Sequence, residues 1–317
     1  MGTFTTLGAA ELTALAEAFD LGAVHEHHVI AAGTINSNFE LVTSRGRYFL
    51  RVNEGKAEAD VAWESRLVAT LAAAGVATPT PLLARDGMPY VPFATKFVSL
   101  FPWREGHHVV TVTPAHATTF GRALAELHVA ALALPTEWRR ASIYAHDHLV
   151  ARFESFADRA DLADAVALLR QELAVAAGAA AIRARATHGI IHGDLFRDNV
   201  LWQDDQITAI LDFEQASGGS LAYDLAVCIN DWCFMTEPQP ALAQALLAGY
   251  AQVRPLTAAD RDALPYEIRA AAARFTITRI TDVYLASVDN PEKDFRAFLS
   301  RVEAWQGPAL GQLTRTV

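Results

Sequence analysis

The sequence predicts an α+β fold in two lobes, a small β-rich N-terminal lobe over residues 1–100 and a larger, mainly helical C-terminal lobe over residues 101–317. Three observations predict it. The chain has 317 residues, room for about two domains of roughly 150 residues each. Near residues 100–107 the pattern changes from short β-prone runs to helical periodicity. Within the helical region a single β interruption, from His188 to Phe213, breaks that periodicity.

The elements follow in order. Leu12, Leu15, Ala16 and Phe19 recur at helical spacing, so a helix is expected over residues 9–19, with Gly22 as its stop. From Val24 to Val52 the runs become β-prone, and residues 39–43 and 47–52, joined by Ser44-Arg45-Gly46, read as an antiparallel hairpin. A helix is expected over 57–74, closed by Gly75, and then strands near Tyr90-Val91 and over 96–100. Thr113 as N-cap and Pro114 at the first helical position open a helix whose apolar stripe runs through Phe120, Leu124, Leu127 and Ala131. Gly121 lies inside that helix, at a cost of about 1 kcal/mol relative to alanine, which points to a close helix contact. His128 reads as a hydrogen-bonded packing residue. Further helices are expected over 146–158, 161–181, 221–234, 238–252, 257–287 with a break near Pro265, and 291–305.

Composition narrows the function classes. A net charge of -10 at pH 7 argues against nucleic acid and against an anionic membrane as partners, because both need a basic surface. Charges interrupt the apolar stretches before the roughly 18 residues a membrane span needs, and the start lacks the layout of a signal peptide. Cys228 and Cys233 would point to different faces of one helix, so neither a disulfide nor a metal pair is expected. His25-Glu26-His27-His28 and His146-Asp147-His148 lack a cysteine or a third spaced ligand and read as surface residues. The expectation is a reduced, cytoplasmic protein, monomeric or homodimeric, with a small-molecule substrate.

The β interruption carries the chemistry. Read as a hairpin that turns over Gln203–Gln206, it brings Asn199 and Asp212 to the same open end. Neighbouring strands lie about 4.8 Å apart, so these two side chains can converge on one small ion, and oxygen ligands suit Mg²⁺ more than Zn²⁺. Asp194, in the loop before Asn199, can take a proton from a hydroxyl while the metal pair neutralises phosphate. Each residue alone has a plain structural reading; their joint spacing is what a phosphoryl-transfer site requires.

The run His192-Gly193-Asp194 with Asn199, followed by Asp212 after the next strand, resembles the superfamily of aminoglycoside phosphotransferases and choline kinases, relatives of the protein kinases. The likeness extends to Tyr223-Asp224-Leu225-Ala226. It implies a two-lobed protein-kinase-like fold with ATP and Mg²⁺ between the lobes. It also implies that Asp194 is the catalytic base, that Asn199 and Asp212 bind the metal, that His192 braces the loop and that Asp224 supports it from below. Gly193 reads as interchangeable with alanine.

Nucleotide contacts are expected in the N-terminal lobe. The segment Gly33-Thr34-Ile35-Asn36-Ser37-Asn38 is either a plain hairpin turn or a loop whose backbone N–H groups fold over phosphates, which makes Gly33, Asn36, Ser37 and Asn38 candidates. On the helix from Ala57, Glu64 falls in the stripe of Val61, Val68 and Leu71, so its carboxylate faces inward and needs a cationic partner. Arg51 on the preceding strand is that candidate, where kinases of this type usually present a lysine to phosphate. Lys56 is the fallback, and a structural salt bridge is the alternative. The base is expected near the lobe connection, at Val98, Ser99 and Phe101, through backbone groups.

The acceptor is expected against the C-terminal helices. Asn230, Asp231 and Trp232 should approach the catalytic loop, with Arg274, Arg279 and Asp282 on a later helix. A cation and an anion presented together suit a zwitterionic α-amino acid, although Arg279 and Asp282 also fit an ordinary i,i+3 surface pair. From Asn36-Ser37-Asn38-Phe39 to residues 221–234 and 246–256 the chain is similar, nearly end to end, to the bacterial homoserine kinases of this superfamily. That resemblance implies phosphorylation of L-homoserine, a step toward threonine. Two other readings stay open: a kinase of another small hydroxylated molecule such as choline or an aminoglycoside, and a nucleotide-binding pseudokinase that serves as an interaction module.

Overall fold

The computed structural model of the chain describes residues 5–30 and 36–314, so Gly33 of the expected phosphate loop lies outside the described residues. Contacts divide the chain into two units. The first runs up to His107 and takes in Thr208–Leu211; the second holds the rest.

In the first unit α1 (Ala9–Ala18) precedes a five-stranded antiparallel sheet of β1 (Val24–Ile30), β2 (Ser37–Thr43), β3 (Gly46–Asn53), β4 (Val91–Phe93) and β5 (Lys96–Pro102). Its order is β1-β2-β3-β5-β4, and α2 (Glu58–Ala73) lies between β3 and β4 in the chain. The expected hairpin is β2 and β3, with Phe39 opposite Leu50 and Thr43 opposite Gly46. Alternation along β2 buries Phe39 and Leu41, which join Leu50, Val52, Val98 and Leu100 in one core with Leu12, Leu15 and Ala16 of α1. The boundary falls after His107 rather than at residue 100, because Trp103 donates its N–H to Arg47 O at 3.1 Å and Arg47 Nη1 holds Glu105 at 2.8 Å.

The second unit contains α3 (Pro114–Leu132), α4 (His146–Glu154), α5 (Ala163–Gly178), the short α6 (Ala180–Arg183), β6 (His188–Ile191), β7 (Val200–Gln203) and β9 (Ser217–Ser220). After them come α7 (Leu221–Trp232), α8 (Pro240–Val253), α9 (Ala258–Arg279), α10 (Arg296–Trp305) and α11 (Pro308–Thr314). The strand β8 (Gln206–Ile210) follows β7 as a ribbon. Asp204 and Asp205 join them with φ of 48° and 58°, the two-residue turn with both centres left-handed that suits a hairpin's twist. Unanticipated in the sequence was β9, which pairs antiparallel with β6, His188 opposite Ser220 and Ile191 opposite Ser217.

Pro265 does not break α9. Its missing N–H and ring clash cost about 3 kcal/mol in a helix interior, and burial of the apolar Ala263, Leu264, Ile268 and Ala271 along the same stretch offsets that. The irregularity comes instead at Ile280–Tyr284, a π-helical turn.

The close contact read from Gly121 is real. A Cβ built on Gly121 would collide with the Leu246 carbonyl, and one on Gly249 with the Thr118 carbonyl, so α3 and α8 cross backbone to backbone. Neither neighbour is a flexible side chain that could yield. Gly121→Ala and Gly249→Ala are each expected to lower stability by about 1–3 kcal/mol through overpacking, against the gain alanine's helix propensity offers. Denaturant unfolding checks this, and a variant more stable than wild type would contradict the crossing.

Candidate active site

The loop after β6 is built around one buried carboxylate. Asp224, on α7, has no exposed surface; its Oδ2 accepts the His192 N–H and its Oδ1 the Gly193 N–H, both at 2.7 Å. His128 Nε2 stands 3.1 Å from Asp224 Oδ2, and Tyr250 Oη lies 2.8 Å from His128 Nδ1. Burial, the largest influence, pushes the Asp224 carboxyl upward, but the bond from His128, the His128 and His192 rings and the Gly193 N–H together hold it below the usual range. His192 is itself fully buried, its ring centre 4.7 Å from that of Phe213. Gly193 has φ +80°, and a Cβ there would come within 3.3 Å of Gln215 O, so alanine is strained at this position rather than interchangeable.

The rest of the same helix face continues the clamp. Leu195 O accepts the Trp232 indole N–H at 3.2 Å and lies 3.6 Å from Cys228 Sγ. Asp231 Oδ2 accepts the Arg197 N–H at 2.8 Å and its Nε–H at 3.2 Å. Trp232 is therefore not an acceptor contact: it is fully buried and stacked on Phe120 at 3.9 Å. Asn230 is not one either. Its Nδ2 donates to Ala226 O and Ile268 O, its Oδ1 accepts from Trp305 Nε1, and it too is fully buried. The helical repeat turns both residues into the core.

Asp194 stands half-buried at the tip of the clamped loop, and its Oδ1 accepts no hydrogen bond among the described residues. Asn199, in the 3₁₀ turn Arg197–Asn199, donates its Nδ2–H to Asp194 O at 2.8 Å, a bond that leaves its Oδ1 uncommitted to that contact. Asp212, just beyond β8, takes the left-handed conformation at φ 62° and ψ 67°. An L-residue adopts it at a cost, and aspartate is among those that do so most readily. Among the described residues no three His, Cys, Asp or Glu side chains gather as a metal centre. The donors fit a hard ion that keeps water or phosphate oxygens for its remaining ligands, as Mg²⁺ does.

Both signs of charge act on Asp194, Arg274 and Arg279 on one side of the balance and Asp198 on the other. Arg274 on α9 is buried with Nη1 3.6 Å from Asp194 Oδ1. Arg279 donates to Asp294 O at 3.2 Å, and Arg301, on α10, to Asn230 O at 2.6 Å. Among the described residues neither forms a salt bridge. Burial pulls both downward, Arg301 to about 10, while Asp231 opposes the shift in each and Asp194 and Asp198 oppose it further in Arg279. The expected Arg279–Asp282 pair is not made: Asp282 accepts from Arg152 Nη1 at 2.6 Å and from Thr281 Oγ1 at 2.8 Å. The π turn changes the helix phase and carries Asp282 onto the face of α4. Sequence reasoning missed Arg197 and Arg301, which come from separate elements, and Cys228 and Asp231 as loop anchors, although both lie at helical spacing from Asp224.

In the first unit Arg51 Nη2 holds Glu64 Oε1 at 2.7 Å, the pairing expected for that carboxylate, and Lys56 Nζ, the fallback for phosphate, also meets it, at 3.2 Å from Oε2. Ser37 and Asn38 are not turn residues. They start β2, opposite Val52 and Arg51, and the Ser37 hydroxyl accepts the Thr5 N–H and donates to Glu54. Asn36 Oδ1 accepts the Glu54 N–H at 3.2 Å. Ser99 and Phe101 are ladder residues, opposite Arg51 and Phe49, with the Ser99 hydroxyl accepting from Asn53 Nδ2; the connection begins only after Pro102.

Burial, the largest influence on Glu64, raises its pKa, but Arg51 and Lys56 outweigh it and hold the carboxyl at about 2. A depressed acid contributes stability that is complete above pH about 4.5 and is lost as pH falls toward about 2, here on the order of 3 kcal/mol. Glu64→Gln is expected to be less stable at neutral pH and to show a flatter acid limb between those values in denaturant titrations. An unchanged limb would contradict the ion pair.

The "Phosphotransferase enzyme family" model matches residues 26–260. A homoserine kinase of Azorhizobium caulinodans is 36% identical over 288 residues, 89% of this chain and 88% of the relative. One of Parvibaculum lavamentivorans is 33% identical over 318 residues, 98% and 97% of the two chains. Among solved structures, an amicoumacin kinase in complex with AMP-PNP and Ca²⁺ superposes with TM-score 0.74 at 14% identity, covering 93% of this chain and 92% of its own. A microcompartment-associated aminopropanol kinase gives TM-score 0.74 at 20% identity, covering 96% and 100%. These two structures match in fold, the aminoglycoside-phosphotransferase form of the kinase architecture. With a family model covering most of its length and relatives above 30% identity over 89% and 98% of it, the chain belongs to the phosphotransferase enzyme family, in the branch of the homoserine kinases.

Proposed function

We propose that the protein transfers the γ-phosphoryl group of ATP to the side-chain hydroxyl of L-homoserine, giving O-phospho-L-homoserine and ADP, with Asp194 as the base. The Asp194 carboxylate carries the reading: it sits on a loop clamped by Asp224, Asn199 and Trp232, with a buried Oδ1 that accepts no hydrogen bond among the described residues. A carboxylate held this way keeps a lone pair for a hydroxyl proton. As the acceptor oxygen bonds to the γ-phosphorus and the bond to the bridging oxygen breaks, the proton passes to Asp194 and ADP leaves.

Asn199 and Asp212 are the residues that would hold a divalent ion, Mg²⁺ by the hardness of their oxygens. When bound, such an ion neutralises phosphate charge. Arg51 and Lys56 are assigned to phosphate and Asn36, Ser99 and Phe101 to the nucleotide's surroundings, the Glu64 pairing fixing both cations in place. The Arg274, Arg279 and Arg301 cluster supports an acceptor that bears a carboxylate and disfavours choline and aminoglycosides, which are cations. The curated relatives named homoserine kinase support the same acceptor. The buried free thiols Cys228 and Cys233 fit the reducing cytoplasm, and no helix among the described residues is long and apolar enough to cross a membrane.

ADP release measured with homoserine, threonine, serine, choline and kanamycin is expected to favour homoserine. Asp194→Asn is expected to lower kcat by roughly 10²–10⁴ while nucleotide binding stays nearly intact. A variant that turns over at the wild-type rate, or choline or kanamycin as the better acceptor, overturns the reading.

A further inference from the structure

Arg274 is costly where it stands. It is 2% exposed, and neither Nε nor Nη1 donates a hydrogen bond among the described residues. Its guanidinium carbon lies 3.8 Å from the centre of the Tyr144 ring and 3.7 Å from that of Phe275. Rings offer the cation a quadrupole but do not satisfy N–H donors. Among the described residues Asp194 is its one salt-bridge partner, at 3.6 Å, beyond hydrogen-bonding range. A desolvated cation with two idle donors, set beside the reacting base, is suited to an incoming anion.

We propose that Arg274 is the specificity-determining receptor for the acceptor's carboxylate, admitting hydroxy acids and rejecting the corresponding amino alcohols. This rests on the reading of the protein as a homoserine kinase. A carboxylate arriving on one edge of the planar guanidinium, where Nη2 pairs with Nε or with Nη1, gives an idle donor the acceptor it lacks. An acceptor without the carboxylate leaves the two donors idle. Arg279 and Arg301 add to the local positive field, but backbone carbonyls already occupy donors of each.

The test compares L-homoserine with 3-aminopropan-1-ol, which is homoserine without its carboxylate, in the wild type, Arg274→Gln and Arg274→Lys. In the wild type kcat/KM is expected to favour homoserine by about 10²–10³-fold. Arg274→Gln should lower homoserine turnover by a similar factor and 3-aminopropan-1-ol turnover by less than about tenfold, collapsing the discrimination, and Arg274→Lys should restore some of it. Equal losses for both acceptors, or discrimination that persists in Arg274→Gln, overturn the proposal while leaving the homoserine reading intact. If the wild type ignores homoserine yet uses another hydroxy acid with the same dependence on Arg274, the reading fails and the proposal stands; if it uses no carboxylate-bearing acceptor, both fail. A further arm needs no variant: L-2-aminobutyrate should inhibit competitively against the acceptor and propylamine should not, and equal inhibition by the two contradicts the assignment.

Discussion

A charged carboxylate without water must find its compensation in the protein, and Asp224 finds it in the backbone of the loop that bears Asp194. Removing a full charge from solvent costs several kcal/mol unless hydrogen bonds replace the water. Here the replacements are the His192 and Gly193 N–H groups and the His128 ring, so the loop cannot leave its conformation without stranding the charge. Cys228, Asp231 and Trp232 extend the same constraint along α7, at successive steps of the helical repeat. One helix face thus sets the path of the chain from His192 to Arg197, and Asn199 closes it by bonding back to Asp194 O. What remains for Asp194 is a fixed backbone and an oxygen in reserve.

Legibility followed the range of the interaction. The β2–β3 hairpin, α2 and α3 were readable because their signals are local: alternation in residues 39–43, the stripe of Val61, Val68 and Leu71, and the Thr113 cap that accepts the His116 N–H. Glu64 was readable as an inward carboxylate because periodicity alone placed it, and two nearby cations were at hand. The strand β9 was not readable. Its residues are Ser217-Gly218-Gly219-Ser220, without a β-branched or aromatic side chain, and the glycines serve tertiary contact, since a Cβ on Gly219 would collide with Ile191. Asn230 and Trp232 were misassigned for a related reason: nearness to the catalytic loop was legible, but not which face of α7 looked toward the core.

The region proposed for the acceptor was the least legible because it is assembled from distant elements. Arg197 comes from the loop, Arg274 and Arg279 from α9, and Arg301 from α10. No spacing in the chain joins them. The overall charge of -10 even points the other way. Net charge describes steering and solubility, whereas recognition depends on a few charges in a low-dielectric recess, where field lines are focused. An acidic protein can therefore still gather several arginines beside one carboxylate.

What ties those arginines to Asp194 is apolar. Phe196 belongs to the catalytic loop, Phe275 to α9 and Phe298 to α10, and their rings meet at 4.6 Å, 5.7 Å and 4.9 Å between centres. The arginines rest on the same cluster: Arg274 beside Phe275, Arg279 at 4.5 Å and Arg301 at 4.4 Å from Phe298. Ring packing draws mainly on buried area, which salt and protonation scarcely alter. The distance between Asp194 and its cations is thus set by a scaffold that does not itself titrate. The proposed reaction, which moves a proton onto Asp194, changes the charges among these side chains, and the apolar cluster keeps their spacing constant while it does so.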